Sequence, residues 1–193
     1  MPSRGERTDR DLLQAYAESK DTDSLGAFFG RYQGTLLRFV GKMLGDADMA
    51  QDVVQETFIT VAREPRRLLD VESCQNWLLR VARNIGISHL RKKTRARRHV
   101  EKAAPLVTEA TAERERRRAE GIEGEEMRAL VRAEVGKLSP RHREVLLLKV
   151  EESKSYREIA DITGLTVTNV GYLLHMAMKA LSKSLKHVKE DLQ

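Results

Sequence analysis

Apolar residues recur along most of this chain at spacings of three and four, the period of an α-helix with one buried face. Few stretches alternate apolar and polar residues as strands do, so the pattern predicts an all-α protein. A short helix over Asp9 to Ser19 precedes a longer one that begins near Asp21 or Thr22 and is broken at Gly45. The predicted buried stripe of the longer helix is Leu25, Phe28, Phe29, Tyr32, Leu36, Val40 and Met43.

Two further helices complete a first predicted bundle. The third covers Ala47 to about Arg63 and is closed by Pro65, and a loop from Pro65 to Glu72 precedes Ser73, which can cap the fourth. The predicted buried residues of the third helix are Ala50, Val54, Phe58 and Val61. On the fourth helix Trp77, Leu78, Val81, Ala82, Ile85 and Leu90 face inward, while Arg80, Arg83, Asn84 and Arg91 face outward.

The helical pattern lapses from about Thr94 to Glu126, where arginine, glutamate and alanine dominate. Such a segment has little apolar surface to bury, so we expect a flexible charged linker, with a helix only at Glu113 to Glu120. Packing resumes at Met127 and continues to Leu192. The sequence therefore predicts two small helical modules, at 9–97 and 127–193, joined by a linker at 98–126.

The second module contains the best-defined motif. Ser155 and Glu158 form a capping box, Gly164 permits a left-handed turn, and Thr166 can cap the helix that follows. The predicted shared core of the two helices is Ile159, Ala160, Leu165, Val170, Leu174 and Ala177. Upstream, Ser139 and the proline after it can begin a supporting helix. The combination favours a helix-turn-helix, with a plain corner of two helices as the alternative.

The chain carries 35 Lys and Arg against 29 Asp and Glu, and the net charge of +6 favours a polyanionic partner. The basicity is local, because residues 80–102 hold nine Lys or Arg and only one acid, Glu101. A single cysteine, Cys74, and the absence of clustered histidines predict neither a disulfide nor a metal site. The charged amino-terminal sequence and the lack of a long apolar run predict a cytoplasmic protein without membrane insertion.

Two polar faces of the first module are candidates for partner contact. Asp52, Gln55 and Glu56 share one exposed face of the third helix, although such a face is often only solvated surface. On the fourth helix, basic side chains suit phosphates, while Asn84 and the loop before Ser73 suit unstacked bases. Trp77 of the same helix has a ring suited to stacking, but its place in the apolar stripe favours a core role.

The order of these features resembles that of the extracytoplasmic-function (ECF) sigma factors, RNA polymerase subunits that keep two conserved regions of larger sigma factors. The resemblance spans about Asp9 to Lys183. It implies that Asp52, Gln55 and Glu56 bind the clamp coiled coil of the largest core subunit, although Gln51 replaces a usual glutamate. It also implies that the loop at 65–72 captures a flipped base. The residues implied for −10 recognition and melting are Asn76, Arg80, Arg83, Asn84, Arg91 and Lys92.

The resemblance further implies that residues 138–181 read the −35 element as duplex. The residues implied for this contact are Arg157, Thr166, Thr168, Asn169, Tyr172, His175 and Lys179. Where the family usually alternates Lys and Arg with Ser, this recognition helix has Gly171, Tyr172, Leu173 and Met176, so we expect weaker salt-dependent binding.

The implied function is promoter-specific transcription initiation by a subunit that is not an enzyme and needs no cofactor. Its implied partners are core RNA polymerase, through clamp and flap, promoter DNA and an anti-sigma factor. Two alternatives stay open: a sigma-like mimic that sequesters an anti-sigma factor, and a stand-alone helix-turn-helix regulator. An enzyme is least favoured, because the sequence has no catalytic constellation or phosphate-cradling glycine loop.

Overall fold

The computed structural model describes residues 7–101 and 123–191, which are helical almost throughout. The first module consists of α1 (Asp9–Ser19), α2 (Thr22–Leu44), α3 (Ala47–Arg63), a short 3-10 helix (Pro65–Leu68) and α4 (Cys74–Glu101). The second consists of α5 (Glu123–Lys137), α6 (Pro140–Val150), α7 (Tyr156–Thr163) and α8 (Val167–Asp191). The predicted all-α fold with two helical modules is confirmed.

Side-chain caps determine where several of these helices begin. Thr8, Ser139 and Ser155 each accept a hydrogen bond from a backbone N–H in the first turn of α1, α6 and α7, respectively. Gly45 and Gly164 end α2 and α7 with φ values of 68° and 73°. These values lie in the left-handed region, where glycine carries no steric penalty. The predicted capping box at Ser155 and both glycine breaks are confirmed.

The end of α3 agrees with the sequence prediction, whereas the loop after it and both ends of the predicted linker differ, since α5 already begins at Glu123. Glu64 is the C-cap of α3, and Pro65 begins a 3-10 turn within the predicted loop, because its fixed φ suits a first helical position. Helix α4 continues to Glu101, beyond the lapse of the apolar pattern at Thr94. Arginine, lysine and alanine favour helix even without an apolar face. The helix predicted at Glu113 to Glu120 lies outside the described residues.

Helix α2 packs against α1, α3 and α4. Most of its predicted stripe is buried, whereas Phe29 and Tyr32 lie at the edge of the core. Phe29 stacks on Phe58 of α3 with ring centroids 4.1 Å apart. Gly86 allows α4 to approach α2 closely, since a Cβ there would lie 3.0 Å from Cε of Met43. Aromatic stacking and close helix contact therefore hold α3 and α4 against α2.

The two modules pack directly against each other, through α2 with α6 and α4 with α7. Val145 and Leu148 of α6 and Ile159 of α7 are fully buried in the same apolar cluster as Phe39 and Leu79 of the first module. The sequence left this placement open. As a consequence, α6 and α7 cover part of the α4 face that points away from the core of its own module.

Candidate polymerase and nucleic-acid interfaces

One face of α3 presents polar side chains to solvent. Asp52, Gln55 and Glu56 are all exposed, as predicted, while Ala50 and Val54 are buried. Glu56 is the only one of the three polar residues with a side-chain hydrogen bond among the described residues: its Oε1 lies 2.8 Å from Nε2 of His89 in α4. The contact holds one carboxylate of this face in a defined position.

A second link joins the start of α3 to α4. The Lys93 ammonium lies 2.9 Å from a carboxylate oxygen of Asp46, which also caps α3 by accepting from the backbone N–H of Met49. The backbone bond and the lysine together lower the pKa of Asp46. The acidic face of α3 and the basic helix α4 are therefore held at a fixed spacing.

Helix α4 carries the basic residues predicted to contact the −10 element. Ser73 caps the helix by accepting from the backbone N–H of Asn76 at 3.2 Å. The exposed members of the predicted set are Arg80, Asn84, Arg91 and Lys92. Trp77 packs against the apolar core, so its predicted core role is confirmed. The side chain is only partly buried and also lines a cleft.

The other two predicted −10 residues are held by the second module. Asn76 Nδ2 donates to Glu158 Oε1 of α7 at 3.0 Å. Arg83 donates from Nε and Nη2 to the two carboxylate oxygens of Glu144 in α6. Only 18% of the Arg83 side chain and 5% of the Glu144 side chain are exposed. Arg83 points away from the core of its own module, but the expectation that it faces solvent is wrong, because α6 covers it.

Further polar contacts cross the same boundary, including a hydrogen bond that Arg143 of α6 donates to the backbone carbonyl of Met43 in α2. Gln75 donates to Glu152 and accepts from the Lys154 ammonium, both at 3.0 Å, and Lys42 lies 2.6 Å from Glu151.

Burial raises the pKa of Glu152. In contrast, hydrogen bonds from Asn76 and then Ser155 lower the pKa of Glu158 to about 2. The boundary is therefore rich in carboxylates supplied by the second module.

A cleft of about 820 Å³ opens between α4 and α7. Its walls include Trp77 and Arg80 from the first module and Arg157 and Asp161 from the second. Oδ1 of Asn76 is buried, with no hydrogen-bond partner among the described residues. Arg157, predicted for the −35 contact, therefore lies beside predicted −10 residues instead of with the rest of its own set.

A smaller cavity, of about 410 Å³, lies beside the loop predicted to capture a base. Residues 71–75 line it together with Asp9 and Tyr32. The Tyr32 hydroxyl donates to Asp9, and burial, then this bond, raises the pKa of Tyr32. Burial raises the pKa of Cys74 to about 11, so its thiol is protonated at neutral pH. The cavity wall therefore combines these polar groups with the apolar Leu68, Leu69 and Val71, and its one cysteine is not a reactive thiolate.

Helices α7 and α8 form the predicted helix-turn-helix. Thr166 caps α8 by accepting from the backbone N–H of Asn169 at 3.2 Å, and Val170 is buried between the helices. The exposed side chains of α8 include Thr168, Asn169, Tyr172, His175 and Lys179. The Tyr156 ring packs against Gly171, where a Cβ would lie 3.6 Å from the ring. Most of the predicted −35 residues are therefore accessible together.

The carboxylates that meet α4 were not predicted from the sequence. Glu144 precedes the apolar run Val145–Leu148, and an acid in such a place signals a buried partner. Glu158 was interpreted only as half of a capping box, which it forms while also accepting from Asn76. Neither signal identifies the partner, because the paired residues are far apart in sequence.

Within the described ranges, no group of three or more His, Cys, Asp or Glu side chains is placed to hold a metal ion. None of the helices in those ranges is long and apolar enough to cross a membrane.

Comparison with known families gives two matches. Sigma-70 region 2 matches residues 28–96, and Sigma-70, region 4 matches residues 128–181. RNA polymerase sigma factor YlaC of Bacillus subtilis is 24% identical over 173 residues, which cover 89% of this chain and 98% of that protein. ECF RNA polymerase sigma factor SigL of Mycobacterium tuberculosis is 27% identical over 173 residues, with coverage of 89% and 94%.

Solved structures agree on the fold. Sigma factor RpoE in complex with the anti-sigma factor NepR from Bartonella quintana has a TM-score of 0.63 at 20% identity, covering 79% of this chain and 91% of that chain. CnrH in complex with the cytosolic domain of CnrY has a TM-score of 0.60 at 22% identity, covering 93% and 97%. The chain belongs to the sigma-70 family and is an ECF RNA polymerase sigma factor. The resemblance and the sigma-factor role predicted from the sequence are thereby confirmed.

Proposed function

We propose that this sigma factor directs initiation through one polymerase-binding face and two DNA-reading surfaces. In this proposal residues 9–97 bind core polymerase and read and melt the −10 element, and residues 127–193 read the −35 element. Residues 98–126, which include the end of α4 and the start of α5, link the two. The observation that carries the proposal is a separation of charge on one rigid module. Helix α3 exposes the acids Asp52 and Glu56, whereas α4 exposes Arg80, Arg91 and Lys92.

The polymerase contact follows from the acidic face of α3. Asp52, Gln55 and Glu56 project from a helix whose other side is buried, so a partner can bind them without disturbing the fold. We assign this face to the clamp coiled coil of the largest core subunit, and the second module to the flap. The hydrogen bond between His89 and Glu56 fixes the carboxylate and reduces the entropy lost on binding.

The −10 contact follows from α4 and the loop before it. Arg80, Arg91 and Lys92 can pair with phosphates of a single strand, and Asn84 can donate to a base edge. A flipped base would enter the 410 Å³ cavity beside residues 71–75. Contacts there would offset the few kcal/mol that unstacking a base costs.

The proposed −35 surface of α8 carries fewer basic side chains than a typical recognition helix. Thr168, Asn169 and His175 can hydrogen-bond to DNA, but Lys179 is the only permanent cation among the α8 residues assigned to this contact. Tyr172, which is 62% exposed, can contact a thymine methyl group in the major groove. We therefore assign −35 recognition to shape and apolar contact more than to counterion release.

An anti-sigma factor is a further proposed partner, since a solved structure of the same fold is described as a sigma factor in complex with the anti-sigma factor NepR. The chain works by binding, and chemistry is left to the polymerase it joins. We assign it to the cytoplasm because bacterial RNA polymerase transcribes there.

Binding assays with purified core polymerase and with duplex DNA separate the proposed function from the two alternatives. A sigma factor binds core tightly and duplex DNA poorly when alone. A stand-alone regulator binds an operator duplex tightly and ignores core polymerase, whereas an anti-sigma mimic binds neither. Failure to bind core would overturn the proposal.

A further inference from the structure

Four glutamates of the second module meet hydrogen-bond donors or cations of the first. The pairs are Glu144 with Arg83, Glu151 with Lys42, Glu152 with Gln75, and Glu158 with Asn76. Every carboxylate in these pairs belongs to α6, α7 or the turn between them. Every partner belongs to α2 or α4.

Two of the four pairs use side chains that the proposed function assigns to promoter DNA. A carboxylate engages a guanidinium through two parallel hydrogen bonds, in the geometry that a phosphate would use. Arg83 therefore cannot hold both Glu144 and a DNA phosphate. Asn76 is also withheld from DNA, because its amide nitrogen donates to Glu158 and its Oδ1 is buried at the same boundary.

The four pairs differ in how much they contribute. Lys42 and Glu151 keep 42% and 28% of their side chains exposed, so solvent and salt screen their attraction. Arg83 and Glu144 are largely buried, and separating them returns two charges to water or to other partners. We therefore treat the Glu144–Arg83 pair as the main part of a latch between the modules. Glu158 keeps 39% of its side chain exposed, and we include its bond to Asn76 in the latch because Asn76 is half-buried and is assigned to promoter DNA.

We propose that the second module is an internal competitor of promoter DNA, with Glu144 and Glu158 occupying Arg83 and Asn76 until the modules separate. This inference rests on the −10 role assigned above to Arg83 and Asn76. In the closed protein the −10 surface is incomplete, with Arg80, Asn84, Arg91 and Lys92 exposed and the two latched side chains withheld. Promoter binding then requires α6 and α7 to move off α4.

The composition of the boundary makes such a latch reversible. The apolar part, which includes Val145, Leu148 and Ile159, favours closure, but burying a charged pair costs desolvation that its attraction only partly offsets. The buried Oδ1 of Asn76, which has no partner among the described residues, adds a further cost. Because these contributions oppose each other, the two modules can pack together and still separate.

The separation of the modules is measured in the full chain by resonance energy transfer. Dyes are attached to cysteines placed at the exposed Ser19 and Ser182, with Cys74→Ser to remove the native thiol. The test variant combines Glu144→Gln and Glu158→Gln; glutamine keeps the size of both side chains and retains the capping box at Ser155. The control is Asp161→Asn, which removes a charge from α7 at a residue with no bond to the first module in the described structure.

We expect high transfer in the parent and control proteins at low salt and a clear loss of transfer in the double variant. Binding to a fluorescent 20-nucleotide oligo-dT strand should tighten by about tenfold in the double variant, because more of the population is competent to bind. Adding Arg83→Gln should abolish that gain. Unchanged transfer together with unchanged oligo-dT affinity would overturn the latch. That result would leave sigma activity intact, whereas loss of core binding by the parent would refute the proposed function instead.

Discussion

The guanidinium of Arg83 in α4 pairs with the carboxylate of Glu144 in α6, 61 residues further along the chain and in the other module. A residue assigned to promoter DNA is thus already paired within the protein. The pairing separates the proposed −10 residues into two groups. Arg80, Asn84, Arg91 and Lys92 are accessible at once, while Asn76 and Arg83 become accessible only when the modules part.

Removing the acids of α3 should weaken the contact with polymerase and leave the fold unchanged. The double variant Asp52→Ala and Glu56→Ala is expected to lose about tenfold or more in core affinity, since it deletes two charges from a complementary interface. Thermal stability should change little, because both side chains are exposed. Fluorescence titration of core polymerase measures the first effect and circular dichroism the second. Glu18→Ala, an exposed acid on α1, is the control, and an equal core affinity in both proteins would move the contact elsewhere.

Removing one exposed cation from α4 should change the salt dependence of promoter binding. For Arg80→Ala in the holoenzyme, the slope of log affinity against log salt should become shallower by about one unit, the share of one phosphate contact. Promoter opening should fall in parallel. Arg128→Ala, at an exposed arginine of α5, should leave the slope unaltered. Two identical slopes would mean that Arg80 is only solvated surface.

Adding a cation to the recognition face of α8 should strengthen duplex binding. Tyr172→Lys is expected to raise duplex affinity at low salt and steepen the salt slope by about one unit. Met178→Lys adds the same charge to another exposed face of the helix and should do neither. Fluorescence anisotropy with duplex DNA at several salt concentrations compares the two variants. If they behave alike, Tyr172 does not face the groove.

Acid should remove the contribution of Glu158 to stability. Its pKa is lowered from 4.5 to about 2 in the folded protein, by hydrogen bonds from Asn76 and Ser155. A lowered pKa stabilises the fold above about pH 4.5 and loses that contribution as the pH falls towards 2. Urea unfolding of the parent and of Glu158→Gln should therefore differ most near neutral pH and converge below pH 4.5. A difference that stays constant with pH would contradict the assigned cause.

Much of the fold was accessible from the sequence because its signals are local. Ser155, Gly164 and Thr166 define the helix-turn-helix through bonds that span only a few residues. The exposed face of α3 followed from helical period alone. The pairing of Glu144 with Arg83 could not be predicted in this way, because amphipathic patterning separates buried from exposed faces only within one module. A helix face directed at a second module carries the same polar residues as one directed at solvent or DNA.

The proposed function requires that this chain give core RNA polymerase the ability to recognise and open promoters. Permanganate footprinting on promoters from its own genome, with core polymerase and the purified chain, tests it most directly, since permanganate reacts with unpaired thymines. We predict reactive thymines at −10 elements only when both components are present, and fewer with Arg80→Ala. If adding the chain to core polymerase creates no reactive thymines at any promoter from the same genome, the proposed function is wrong.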